Sequence, residues 1–142
     1  MTDREPWSRW ITYSNIEWLY AEGIRRHGGT GSKPQEGCVD AALGSAYSAE
    51  LYSMPEVDSE QVVAGLYFCA HLMFYLTKRH CYVDGNKRLA WEAATYALLS
   101  LGLTLEATTD EATGFVESIA KGEVQSAEEV LTWIADRLIP IQ

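Results

Sequence analysis

Cationic side chains are in short supply in this chain. Lys and Arg number 11 against 20 Asp and Glu, a formal net charge of -9. A surface of that sign repels a nucleic-acid backbone and argues against a general DNA- or RNA-binding role, although a basic protein partner is compatible with it. Cysteine is scarcer still. Cys38, Cys69 and Cys81 are odd in number and follow no spacing pattern, which argues against a disulfide framework and for a reducing, cytoplasmic setting. Long apolar runs are missing as well. The longest, residues 62–76, is short for a membrane span and contains His71, so it is expected to be a buried helix. The opening residues, Met1-Thr2-Asp3-Arg4-Glu5-Pro6, lack a basic-then-apolar leader pattern. Repeats, linkers and low-complexity stretches are not found.

What is present suits one compact domain over residues 1–142, with 47% hydrophobic residues, 5 Trp and 8 Tyr. An edge strand is expected at residues 10–13. Ser14 and Glu17 read as a capping box for a helix reaching about residue 26, closed by Gly28-Gly29. Residues 29–37 are rich in Gly, Ser and Pro and read as a loop able to wall a site. A short helix over 38–46 turns Val39, Ala42 and Leu43 inward. Residues 50–58 are irregular around Pro55, and Ser59 caps a helix running to about residue 78. That helix is apolar nearly all round and is therefore central. Helices are further expected over 86–101 with Gly102 as C-cap, from Thr109 or Asp110 to near Gly122, and after a Ser126/Glu129 capping box. Leu138 lies on the apolar face of the last, and Pro140 ends it. The fold class expected is all-α, a bundle of about six helices.

The chemistry concentrates in His80-Cys81-Tyr82-Val83-Asp84-Gly85-Asn86-Lys87-Arg88, between the central helix and the next. A helix beginning after Gly85 points its unpaired N–H groups and positive dipole end at the loop, an arrangement suited to anions. Gly85 permits a left-handed backbone and close approach of a ligand. Asp84 offers hard oxygen of the kind Mg²⁺ takes alongside phosphates. Arg88 can fork onto two phosphate oxygens, and Lys87 adds charge. An imidazole such as that of His80 takes a proton from a hydroxyl nucleophile. Other constellations are weaker. Cys69 and His71 face apart on a helix and make no metal cluster. His71 reads as a core or partly exposed histidine, His27 as a helper at a helix end, and Cys81 as a small packing residue.

This stretch resembles the signature of the Fic/Doc family, roughly H-x-F-x-D-G-N-K-R, with Tyr82 in the aromatic place. Residues 19–29, 36–46 and 50 onward resemble the death-on-curing (Doc) toxin branch in order and spacing. The resemblance implies a nucleotide-dependent transferase that uses ATP and Mg²⁺ to modify a hydroxyl side chain of a target protein. His80 would be the general base and Asp84 the metal ligand. Gly85, Asn86, Lys87 and Arg88 would hold phosphates, with the Asn86 side chain among the donors. Tyr82 would bury its ring and pin the loop. Adenylylating members usually carry a second Arg three positions beyond the first, where this chain has Trp91; Doc-like members lack it and are known as kinases of elongation factor Tu. The resemblance therefore favours γ-phosphoryl transfer by a toxin held in check by an antitoxin protein, acting on translation in the cytoplasm, with no direct nucleic-acid or membrane partner. Adenylyl transfer, and a binding module without turnover, are the alternatives; oligomeric state is left open. Ser32 to Gly37 shares letters with the family's inhibitory motif, S-x-x-x-E-G, but that motif belongs on a helix and Pro34 argues against one here.

Overall fold

A computed structural model of the chain describes residues 10–52 and 61–141. Among the described residues it is a bundle of six helices with one two-stranded ribbon. They are α1 (Tyr13–His27), α2 (Cys38–Tyr52), α3 (Gln61–Arg79), α4 (Asn86–Leu99), β1 (Leu103–Leu105), α5 (Thr109–Lys121), α6 (Ala127–Ala135) and β2 (Leu138–Pro140). The all-α class expected from the periodicity is therefore what is observed.

Helix α3 sits in the middle, packed against α2, α4, α5 and α6. Phe68, Cys69, Ala70, Leu72, Met73 and Leu76 are all buried on it. Each large apolar side chain removed from water in this way contributes about 1.5–3 kcal/mol. Closest approach is made through small residues. Ala90, Ala93, Ala94 and Ala97 line the buried face of α4. Gly65 on α3 lies so near Leu101 that a Cβ there would come within 2.7 Å of Leu101 Cδ1. The α3–α4 pair thereby forms a firm stem, and the 80–85 loop is the bend between its two arms.

Several local expectations are corrected. No strand forms at residues 10–13. The Tyr47 hydroxyl accepts from the amides of Trp10 and Ile11 and donates to the Ile11 carbonyl, drawing Ile11 into the core. Helix α1 then starts from Thr12, whose hydroxyl accepts from the Asn15 amide while Asn15 Oδ1 accepts from the Thr12 amide, in place of a Ser14/Glu17 box. Helix α2 runs on to Tyr52, beyond the short helix expected, while Ser59 lies outside the described residues. Ser100, not Gly102, caps α4. Helix α5 runs from Thr109 to Lys121 as expected, with Thr108 as its N-cap and Gly122 closing it in a left-handed conformation. Ser126 caps α6, but Glu129 answers the Gln125 amide, so the box is not reciprocal. Leu138 and Pro140 belong to β2 and not to a helix, paired antiparallel with β1 as Leu103↔Pro140, Thr104↔Ile139 and Leu105↔Leu138. Pro140, which has no N–H to give, is tolerated because a two-stranded ribbon has only edges.

Candidate active site

The loop's shape is set from below by three residues. Tyr82 turns inward, and its ring stacks on Tyr20 of α1 with centroids 3.7 Å apart and planes 15° from parallel. Burial pushes the Tyr82 phenol up to about 12. Asn86, the first residue of α4 and only 4% exposed, reaches back to the same residue: its Oδ1 accepts from the Tyr82 amide at 2.9 Å and its Nδ2 donates to the Tyr82 carbonyl at 2.8 Å. The side chain assigned by resemblance to phosphate is thus engaged with the loop's own backbone. Gly85 supplies the turn between them, with φ 80 as the N-cap of α4. An L side chain there would be strained and would meet Arg88 Nη2 and Tyr20 Cε1 at 3.4 Å.

An N-cap glycine has no side chain to bond the first amides of α4, and none is so bonded from that position. The first-turn amides have no intrahelical partner, and they carry the positive end of the helix dipole. Lys87 and Arg88 follow at once. Both line a groove of about 450 Å³ with His27, Trp91, Thr108 and Glu117. Lys87 Nζ lies 3.7 Å from Glu117 Oε2 with both side chains about half exposed, a pairing too weak to hold the lysine from a ligand. Arg88 donates through Nη2 to the Gly28 carbonyl at 3.4 Å, and its guanidinium packs against Gly23. His80 opens the loop, exposed and in a left-handed conformation with φ 54 that a non-glycine residue seldom takes. The structure therefore gathers His80, Asp84, Gly85, Asn86, Lys87 and Arg88 on one bend and the first turn of one helix.

The upper side of the loop is covered. Residues 28–37, the loop expected to wall the site, lie along it as a strap without regular secondary structure up to residue 35. The Thr30 amide donates to Asp84 Oδ2 at 2.9 Å, the Val83 amide to Ser32 Oγ at 3.1 Å, and the Gln35 amide to the Cys81 carbonyl at 2.9 Å. The Thr30 backbone bond, with smaller help from Gly31 and the Tyr20 hydroxyl, holds the Asp84 carboxyl below its ordinary range. Asp84 Oδ1 is buried and makes no hydrogen bond of good geometry; the buried Tyr20 hydroxyl beside the carboxyl acts on it only through a loose approach. Gly29 suits this place, because its φ of 124 strains an L side chain and a Cβ would lie 2.9 Å from Ile24 Cδ1 and 3.2 Å from Asp84 Oδ2.

Two cysteines close the strap. Cys38 and Cys81 form a disulfide, with Cα atoms 5.5 Å apart across 43 positions of sequence. Cys81 is therefore not a simple packing residue, and the cysteines are one bonded pair and one buried thiol, Cys69. The expectation of a reducing compartment rested on unpaired cysteines and loses that support. Tyr20, Thr30, Ser32, Gln35 and Cys38 were not among the residues the sequence motif points to. Tyr20 carries only a core-facing signal, and the others act through backbone groups or a pairing that spacing does not reveal. His71 is buried, its Nδ1 2.8 Å from the Tyr67 carbonyl, and stands apart from the loop on α3. Among the described residues no cluster of three or more His, Cys, Asp or Glu could hold a metal, and no helix is long and apolar enough to cross a membrane.

A helical bundle that carries an uncapped helix N-terminus, two cations, a carboxylate and an imidazole on one bend and the turn after it has the residue types for a phosphate-bearing ligand. Residues 10–98 match the Fic/DOC family, and the chain belongs to it. Members are generally nucleotide-transferring enzymes with substrates such as ATP. Comparison with individually curated proteins finds no match.

Proposed function

We propose that this protein transfers the γ-phosphoryl group of ATP to a hydroxyl side chain of a target protein, in the manner of the Doc toxins. The observation that carries the reading is the bend itself: a side-chain-free N-cap at Gly85, cations at Lys87 and Arg88, and a neutral Trp91 in the groove where adenylylating relatives usually place a second Arg. Phosphoryl transfer asks a protein mainly for positioning and charge stabilisation. The α4 amides and Arg88 bind the phosphate chain, Lys87 offsets charge at its exposed end, and His80 takes the proton of the attacking hydroxyl. Asn86 acts by holding the shape of the loop.

Asp84 fits a Mg²⁺ ion in donor type, since one carboxylate completed by phosphate oxygens and water is an ordinary set for that ion, and its Oδ1 makes no hydrogen bond of good geometry. When bound, Mg²⁺ neutralises phosphate charge. A separate antitoxin restrains the enzyme, and the acceptor is a translation factor of the elongation factor Tu kind.

The test is intact-mass spectrometry of candidate acceptors, beginning with elongation factor Tu, after incubation with the protein, ATP and Mg²⁺. A gain of one phosphate, lost in His80→Ala, is expected. A gain of one AMP replaces the reading with adenylyl transfer. Toxicity of His80→Ala equal to the parent protein points to a binding module without turnover.

A further inference from the structure

We infer that the Cys38–Cys81 pair is a thiol–disulfide modification site that latches residues 28–37 over the active loop, and that a dithiol reductant unlatches it. The bond lies where chain geometry gives it the most leverage. Cys81 is the residue after His80, and Cys38 is the first residue of α2, directly beyond the end of the strap. Between these anchors the strap is stitched to the loop at Cys81, Val83 and Asp84 by three hydrogen bonds, and the Gly28 carbonyl takes one from Arg88. Hydrogen bonds of this kind, partly exposed to water, are worth little singly. A covalent closure at one end shortens the tether, raises the effective concentration of the strap's groups at the loop and keeps the strap seated.

The seated strap occupies groups that a nucleotide needs. Asp84 Oδ2 is taken by the Thr30 amide, Oδ1 has no accessible surface, and Arg88 is turned to the Gly28 carbonyl. The bonded form is therefore the closed form. The two sulfurs are unequal. Cys81 is 2% exposed, whereas Cys38 is half-buried and is the one an incoming thiolate reaches. Attack on Cys38 Sγ breaks the S–S bond, and the electron pair leaves on Cys81 Sγ. The second thiol of the reductant then displaces Cys38. The reductant ends as its own disulfide, and its two protons pass to the cysteines.

The latch itself requires no assigned activity; its consequence for ATP rests on the proposed function. Amide hydrogen exchange of the full chain, with and without dithiothreitol, decides the first. On reduction, exchange across residues 28–37 is expected to rise at least tenfold more than exchange in α5, and Cys38→Ser is expected to reproduce this difference without reductant. Unchanged exchange in the strap overturns the latch. A rise of equal size in the strap and in α5 overturns it too, because the bond would then be a general staple and nothing more. Titration calorimetry with ATP and Mg²⁺ decides the second: at least tenfold tighter binding by the reduced protein is expected, and equal affinity overturns the regulatory role. Absence of binding in both states is instead the failure of the nucleotide reading, and the exchange result still decides the latch.

Discussion

Replacing Asn86 with Ala separates two roles that the family motif merges. In the structure the Asn86 amide makes two hydrogen bonds to Tyr82, one to its N–H and one to its carbonyl, in a position only 4% exposed. Alanine removes both partners and supplies none, and water does not readily reach the site. Leaving a buried polar group unpaired costs about 1–3 kcal/mol, so two such groups imply a loss of about 2–4 kcal/mol after some relaxation. With a urea slope of about 2 kcal/mol/M for a domain of this size, the unfolding midpoint falls by about 1–2 M. Urea unfolding followed by tryptophan fluorescence measures it directly. Were Asn86 chiefly a phosphate ligand, the variant would keep its midpoint and lose only nucleotide affinity. A midpoint within about 0.3 M of the parent protein, a shift below the threshold of a lost buried hydrogen bond, refutes the reasoning.

Three further outcomes follow from the same geometry. Tyr20→Ala removes the ring beneath Tyr82 and is expected to cost about 3–5 kcal/mol in thermal or urea unfolding, while Tyr20→Phe, which keeps the stack, costs less than about 1 kcal/mol. Reduction of Cys38–Cys81, or the Cys38→Ser change, releases a loop spanning 43 positions; chain entropy assigns this about 4 kcal/mol, read as the difference between urea curves with and without reductant. The Asp84 carboxyl, lowered in the fold by the Thr30 amide, contributes stability that is present above the unfolded aspartate value and is lost as pH falls through the lower folded value. The Thr30 amide resonance should therefore follow Asp84 with a midpoint below 3.8, and a midpoint at or above that value counts against the contact.

The helices were legible wherever apolar periodicity and burial agree, as along α3 and α4. Their ends were not. Two overlapping i, i+3 pairs, Thr12/Asn15 and Ser14/Glu17, both suit the start of α1, and the choice is made by Tyr47, a residue of α2 that receives the chain at Trp10 and Ile11. Leu138 continues the spacing of Ile134, yet pairing with Leu105 takes it into a strand, which a local pattern cannot report. The bend from His80 to Arg88 was legible because its residue types are chemically distinctive. What the letters hid is the use of each one: Asn86 serves the loop's backbone, Asp84 is capped by an amide of the strap, and Cys81 is joined to Cys38.

These assignments divide the contacts of the loop into two sets. Those beneath it, the Tyr20–Tyr82 stack and the Asn86–Tyr82 hydrogen bonds, come from α1 and α4 and meet at one residue. Those above it, from Thr30, Ser32, Gln35 and Cys38, meet Asp84, Val83 and Cys81 and leave Tyr82 alone. A bend held from below keeps its form when the cover is withdrawn. That is the arrangement a phosphate cradle requires if it is to be both preorganised and closed at rest, since donors that had to refold on opening would lose the advantage of fixed position. Shape and access are thus set by different residues here, so each can be changed by substitution without the other.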